Sequence, residues 1–242
     1  MSRLNKLNQD PFYCNTTMVK LYDELMETVD PDVDHVGWLR GAVGSDWPRE
    51  ILDYGAGSGR VLKKLRRSGC TSTFHAVEPD ESFAKLLSDD SEIAPVHVEN
   101  NLSAIDATNI GLVFCTYGSL QYVSGIEAIV EELTDIHRIV ESGSGVCALE
   151  LFSSEAYDEI EEPMTVPIYL ADKMWQMTLN VEHFDDGLMT STTELRDGEE
   201  FAVMRETVLP VSVETTRDLF AEANFQNISV KRHGAYNRCV AS

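Results

Sequence analysis

At 242 residues, 43% hydrophobic and 25% charged, the chain reads as a globular protein of one domain or two, since a domain takes about 100–200 residues, and not as a disordered or fibrous one. Its 19 Lys and Arg against 41 Asp and Glu give a formal charge of −22, which argues against nucleic acid and anionic membrane surfaces, both gripped by clustered cations. No run reaches the about 18 apolar residues of a membrane span, residues 1–10 lack an apolar signal core, and the five cysteines are scattered without a CxxC pair, so a reduced, cytoplasmic protein with no disulfide framework and no metal site is expected.

The first ten residues are polar and are expected to be loose. Residues 17–28 place Met18, Leu21, Tyr22, Leu25 and Met26 on one helical face. A second helix is predicted over 34–43, before the break at Trp47-Pro48. Residues 51–54 form a short strand that Gly55-Ala56-Gly57-Ser58-Gly59 cannot continue, and 60–67 resume as a helix with Val61, Leu62 and Leu65 inward. Then come a strand at 73–77, a helix over 80–87 capped by Asp80, strands at 95–98 and 111–115, a helix over 124–140 and a strand at 145–152. Strands alternating with helices predict βαβ units and a mainly parallel sheet.

From about residue 161 the texture changes. Alternating pieces at 174–184, 189–195 and 201–209 are separated by Asp185-Asp186-Gly187 and Asp197-Gly198, which read as hairpin turns. A helix over 213–223 and strands at 228–232 and 236–241 close the chain. The predicted fold class is α/β: a Rossmann-like, doubly wound, seven-stranded sheet with an antiparallel insertion after the fifth strand. It is read as a single domain, 1–242, with an N-terminal helical lid (1–47), a core (48–161), the insertion (162–211) and a closing segment (212–242).

The informative stretch is Ile51-Leu52-Asp53-Tyr54-Gly55-Ala56-Gly57-Ser58-Gly59-Arg60. A strand delivers alternating glycines into a helix start, where the backbone bends tightly and a ligand meets no Cβ. Helix N-terminal N–H groups suit a carboxylate or phosphate, and Asp53 can accept from an ammonium group. Glu78 ends the next strand, 19 residues after Gly59, where a carboxylate can take both hydroxyls of a ribose. The bland alternative is a glycine turn beside a solvated carboxylate. A dinucleotide fingerprint would need its third glycine one place later, where Arg60 stands.

These residues resemble the class I S-adenosylmethionine-dependent methyltransferases. The likeness is carried by Leu52 through Gly59, by Ala76-Val77-Glu78, by Leu112 through Tyr122 and by Ser142-Gly143-Ser144-Gly145, and it extends over nearly the whole chain. It implies S-adenosylmethionine as cofactor, leaving S-adenosylhomocysteine as product. Gly55, Ala56, Gly57 and Gly59 would cradle its methionine part with Asp53 nearby, and Glu78, followed by Pro79, would hold the ribose. Phe83 would pack on the adenine. Asn101, where the family has an acidic residue, and Leu102 would read the adenine edge, with Asn100 as the alternative register. Cys115 and Thr116 would lie beside the methyl group. A narrower likeness, from Leu21-Tyr22-Asp23 and the insertion, is to N-methyltransferases of amino sugars and other small amines. There the N-terminal helices and inserted sheet close the site, which would put Tyr13 or Tyr22 in the lid.

Methyl transfer from a sulfonium is an in-line displacement, so the protein mainly aligns groups and excludes water. An amine must first lose a proton, and a carboxylate, Tyr or His can assist. Tyr117 and Tyr122, after the fourth strand, are the catalytic candidates, with aromatic packing as the alternative. Glu150 can bind a cationic amine or serve in a salt bridge. His183 and Trp175 lie on the inserted sheet that would roof the site. His75 and His97 read as core structural residues, His137 and His233 as surface ones, and the acidic run 158–162 as a solvated turn. The expected function is methylation of a small molecule, an amine ahead of a hydroxyl, by a monomer or homodimer. O-methylation, a non-catalytic cofactor-binding relative and a dinucleotide-dependent oxidoreductase are the alternatives. The charge also fits an acid-rich solubility strategy and names no acceptor.

Overall fold

A computed structural model describes residues 11–30, 34–105, 109–122, 125–157, 163–184 and 187–242. In chain order the elements are β1 (Phe12–Cys14), α1 (Thr16–Val29), α2 (His35–Val43), β2 (Glu50–Tyr54), α3 (Arg60–Arg67), β3 (Thr73–Val77), α4 (Glu81–Asp89) and β4 (Val96–Glu99). They continue with β5 (Leu112–Cys115), α5 (Ile126–Ser142), β6 (Val146–Phe152), the single turn α6 (Ser154–Tyr157), β7 (Met164–Leu170), β8 (Lys173–His183), β9 (Met189–Asp197) and β10 (Glu200–Val208). The chain ends with α7 (Val213–Glu222), β11 (Ser229–His233) and β12 (Tyr236–Ala241). No described helix is long and apolar enough to cross a membrane.

Seven strands form the central sheet in the order β11-β12-β6-β5-β2-β3-β4. The five from β6 to β4 run parallel, while β12 pairs antiparallel with β6 and β11 with β12. Side chains alternate across it as a pleat requires. Ile51, Leu112 and Phe114 face one way, against α2, α3 and α4 through Leu39, Leu62, Leu65 and Leu87. Leu52, Val113 and Cys115 face the other way, against α5 and α7 through Ile129, Leu133, Ile136, Leu219 and Phe220. Both faces are covered, which is why β5 reads as an unbroken apolar run.

The second sheet is wholly antiparallel, in the order β1-β10-β9-β8-β7. Its core-facing side takes α1: Met18, Leu21 and Leu25 pack against Ile168, Leu170, Trp175, Leu195 and Met204. The helix starts are set by side chains. Asn15 accepts from the Met18 N–H, Asp34 from Gly37, Asp80 from Ser82 and Phe83, and Ser212 from Thr215, each such cap contributing about 1 kcal/mol.

The structure differs from the sequence expectations in four places. The leading segment, expected to be helical, opens with β1, which supplies the fifth strand of the inserted sheet through Phe12↔Glu206, Tyr13↔Arg205 and Cys14↔Met204. Three residues are too few to show a period. Strand β7 was missed because Pro167 interrupts its pattern; it pairs with β8 at the sheet's end, an edge position where a proline is tolerated. His97, expected in the core, is exposed on the edge strand β4 and stacks on His75 at 5.1 Å. Trp175, expected near the roof of the site, is a core residue of the inserted sheet, its Nε1 donating to the Leu170 carbonyl at 3.1 Å. The N-terminal decapeptide expected to be loose, the acidic run 158–162 and residues 185–186 of the first predicted hairpin turn lie outside the described residues.

Candidate active site

The loop after β2 turns through three glycines with positive φ, Gly55, Gly57 and Gly59, and two neighbours explain the pattern. A Cβ on Gly55 would lie 2.3 Å from Ser119 Cβ, so glycine lets this loop touch the turn that follows β5. A Cβ on Gly57 would meet nothing nearer than Tyr22 Cε1 at 4.0 Å; the room beside it belongs to a cavity of about 890 Å³.

Glu78, at the end of β3, ties the loop to that cavity. Its Oε2 accepts from the Gly57 N–H at 2.6 Å and its Oε1 from the Asp80 N–H at 2.9 Å, while its own N–H donates to the Glu99 carbonyl. It is only 7% exposed. Burial raises its carboxyl above the usual range, and the two backbone N–H groups oppose that rise.

Gly55, Ala56 and Gly57 line the cavity, as do Glu78 and Pro79 from the end of β3. Phe83 stands on α4, with Tyr22 of α1 edge-on to its ring at 5.2 Å. Asn100, Asn101 and Leu102 all reach the wall. Asn101 Oδ1 is taken by the turn it caps, accepting from the Ala104 N–H and Ser103 Oγ, and its Nδ2 donates to Asn100 Oδ1 at 2.6 Å. Thr116, Tyr117 and Tyr122 complete the wall beyond β5.

Five expected site residues do not reach the cavity. Alternation along β1 turns Phe12 into the wall in place of Tyr13; the Phe12 ring lies 5.4 Å from Tyr122 and 6.2 Å from Phe83. Cys115 points into the core on the α5 side. Gly59 sits behind the wall, where a Cβ would press on Leu87 at 2.7 Å. Asp53 is buried just beneath, and its Oδ1 has no hydrogen-bond partner among the described residues. Burial holds its carboxyl well above the ordinary range, with the Glu78 charge adding and Arg60 opposing.

Glu150 is the fifth. It is 1% exposed, and both oxygens are occupied: Oε2 by His35 Nε2 at 3.2 Å and the Tyr117 N–H at 3.1 Å, Oε1 by Arg238 Nε at 2.8 Å. Burial would raise its carboxyl, but His35, the Tyr117 N–H and Arg238 hold it below its usual value. It is a strut under the Tyr117 backbone, which takes φ +58° there. His183 and His233 are exposed, His75 pairs with Glu50 at 3.0 Å, and His137 meets Phe225 edge-on at 4.9 Å.

The sequence reading missed Phe12, Arg60, Ser119, Glu206 and His35. Arg60 was noticed only as a missing glycine. It lines the cavity at 6% exposure, its guanidinium 4.7 Å from the Tyr117 ring centroid and its Nη1 buried without a hydrogen-bond partner among the described residues. Its one sequence signal is its place directly after the glycine loop. Glu206, on β10 of the inserted sheet, accepts from the Tyr122 hydroxyl, a contact that tertiary structure alone creates.

No protein-family model matches the chain, and no curated protein matches it in sequence. Solved structures do resemble it. An S-adenosylmethionine-dependent methyltransferase from Clostridium acetobutylicum superposes with TM-score 0.73 at 14% identity, over 94% of this chain and 99% of that one. The CcbJ methyltransferase from Streptomyces caelestis gives TM-score 0.69 at 14% identity, over 91% and 97%. CalS10, an amino pentose methyltransferase from Micromonospora echinaspora solved with S-adenosylmethionine bound, gives 0.64 at 11% identity, over 93% and 90%. The seven-stranded sheet and its antiparallel insertion therefore have the fold of the S-adenosylmethionine-dependent methyltransferases.

Proposed function

We propose that the protein transfers a methyl group from S-adenosylmethionine to a small molecule, with nitrogen the acceptor ahead of oxygen. The observation that carries the reading is Glu78: one carboxylate braces the Gly57 N–H and also faces the cavity, so the glycine loop, the acid and Phe83 form one continuous wall.

The residues present fit that cofactor. Arg60 Nη1 in the lining and Asp53 Oδ1 just beneath it have no hydrogen-bond partner among the described residues; Arg60 suits the carboxylate of an amino-acid group, and the Asp53 charge, from beneath the wall, favours its ammonium. Glu78 keeps lone pairs beyond its two backbone bonds, enough for ribose hydroxyls. Phe83 and Leu102 supply apolar surface for a purine. When bound, the cofactor supplies an electrophilic methyl group on a sulfonium. The protein's part is to bind, orient and exclude water, with Tyr117 and Tyr122 facing the reacting region. The preference for nitrogen is supported by the lining, where, among the described residues, Glu78, Asp80, Glu81 and Glu132 outnumber the one basic residue Arg60, and by neighbours named as an amino pentose methyltransferase and a sugar N-methyltransferase.

Calorimetric titration with S-adenosylmethionine and S-adenosylhomocysteine, with NAD as control, tests the reading. Micromolar binding of the first two and none of NAD is expected. Glu78→Ala removes a charged hydrogen-bond partner worth about 2–3 kcal/mol and should weaken binding roughly 30- to 150-fold. No binding of either compound would overturn the assignment.

A further inference from the structure

The inserted sheet places a carboxylate behind the cavity wall that the reading above leaves unused. Glu206 lies on β10, directly opposite Phe12 of β1. Tyr122 donates its hydroxyl hydrogen to Glu206 Oε1, and Ser191 Oγ of β9 donates to Oε2 at 3.2 Å. Tyr122 lines the cavity and Glu206 stands behind it. Titratable groups within electrostatic reach of Glu206 among the described residues include Tyr122, Tyr22 from α1 and Cys14 from β1, with Tyr236 of β12 acting on Tyr122. Among the described residues no Lys, Arg or His is ion-paired with Glu206.

A phenol that donates to a carboxylate keeps its oxygen lone pairs for another donor. Here the phenol belongs to the cavity wall and the carboxylate to β10 of the inserted sheet. The geometry points to Tyr122 and Glu206 as the pair that takes the proton from an acceptor ammonium, Tyr122 as the catalytic residue and Glu206 as the positioning residue behind it.

This rests on the methyl-transfer reading. An N–H bond of the ammonium breaks and its electron pair stays on nitrogen. The proton bonds to Tyr122 Oη, while the hydrogen already there passes to Glu206 Oε1. An ammonium and a carboxylate become a neutral amine and a carboxylic acid, and the pair resets by releasing the proton to water. Burial raises the Glu206 carboxyl above its usual value against the pull of Tyr122 and Ser191, the direction that suits a base working near neutral pH.

The test starts from S-adenosylhomocysteine calorimetry on the parent protein, Glu206→Gln, Tyr122→Phe and Ser191→Ala. Methyl transfer is then followed with S-adenosylmethionine and a panel of primary and secondary alkylamines and free amino sugars. Glu206→Gln and Tyr122→Phe should bind S-adenosylhomocysteine like the parent and lower kcat on the order of 100-fold or more with KM little changed. Ser191→Ala removes a donor that favours the ionised carboxylate, so the acid limb of kcat/KM should move to higher pH. A purely structural Glu206 would leave that limb in place. Parent-like kcat and pH limb in Glu206→Gln would overturn the proposal, as would a protein that binds S-adenosylhomocysteine but methylates no amine; both leave the cofactor reading standing. Failure of the parent to bind S-adenosylhomocysteine overturns the cofactor reading itself. If Glu206→Gln does not fold, Tyr122→Phe and Ser191→Ala decide the matter alone.

Discussion

Asp53 carries a proton-linked consequence of the site. Its carboxyl is held well above the ordinary range by burial, with Oδ1 unpartnered among the described residues. A cation held in the cavity above acts through the wall to favour the ionised form, so binding the amino-acid end of the cofactor lowers this pKa and releases a proton. Linkage fixes the sign: affinity strengthens as pH rises through the value of the free protein, and flattens above it. S-adenosylhomocysteine titrations in two buffers of different ionisation enthalpy should report proton release that Asp53→Asn abolishes; identical heats in both buffers would refute it. Gly57 gives a second expectation. At φ +56° an alanine is strained by about 1–2 kcal/mol, and its methyl would project into the cavity. Gly57→Ala should lower Tm by only a few degrees yet weaken S-adenosylhomocysteine binding clearly; unchanged binding would show that the cofactor does not pass beside Gly57. Gly57 and Glu78 were legible in the sequence because a loop and the end of the next strand carry their own local pattern. Arg60 and Glu206 were not, because only the packing of α3 and of the inserted sheet brings them to the cavity.

Between elements, buried side chains clamp the loop after β5. Gln121 is fully buried: its Oε1 accepts from the Phe152 N–H at 2.5 Å and its Nε2 donates to the Leu209 carbonyl at 2.6 Å. Those bonds join the loop to the end of β6 and to the exit of the inserted sheet. Glu150 fastens the same loop to α2 and β12 through His35 and Arg238. Removing it leaves Arg238 largely buried without its carboxylate, a change that costs about 3–5 kcal/mol and should lower Tm by roughly 10 °C. Its folded pKa is depressed, so its contribution is present above the unfolded carboxyl value and is lost as pH falls through the folded one. Glu150→Ala should therefore flatten the acid side of the stability curve; an unchanged acid slope in thermal melts would refute the strut. Element positions were mostly legible. α3 was placed from its apolar spacing and the glycines before it. β1 and β7 were not, since their strand character comes from pairing with β10 and β8 more than from their own residues.

For the whole molecule, the alternation of strand and helix was enough to give the parallel sheet, while the charge of −22 bears on stability. Several surface ion pairs exist, such as Arg67–Glu92 and Lys173–Asp197, but exposed pairs contribute little to stability because solvent screens them. With 41 acidic against 19 basic residues, most carboxylates have no cation to meet, and their mutual repulsion opposes the compact state. Raising salt from about 0.1 M to about 1 M shortens the screening length from roughly 10 Å to 3 Å. That weakens the surface pairs slightly and the long-range repulsion more, whereas the buried Glu150–Arg238 pair is shielded from it. Tm should therefore rise with NaCl or KCl, both chosen because sulfate would add its own surface exclusion effect. The rise should be absent once carboxylates far from the cavity are replaced by Lys until the charge nears zero. A Tm that falls with NaCl would mean that the specific surface pairs outweigh the repulsion, and that the acidity is built into the fold's local contacts.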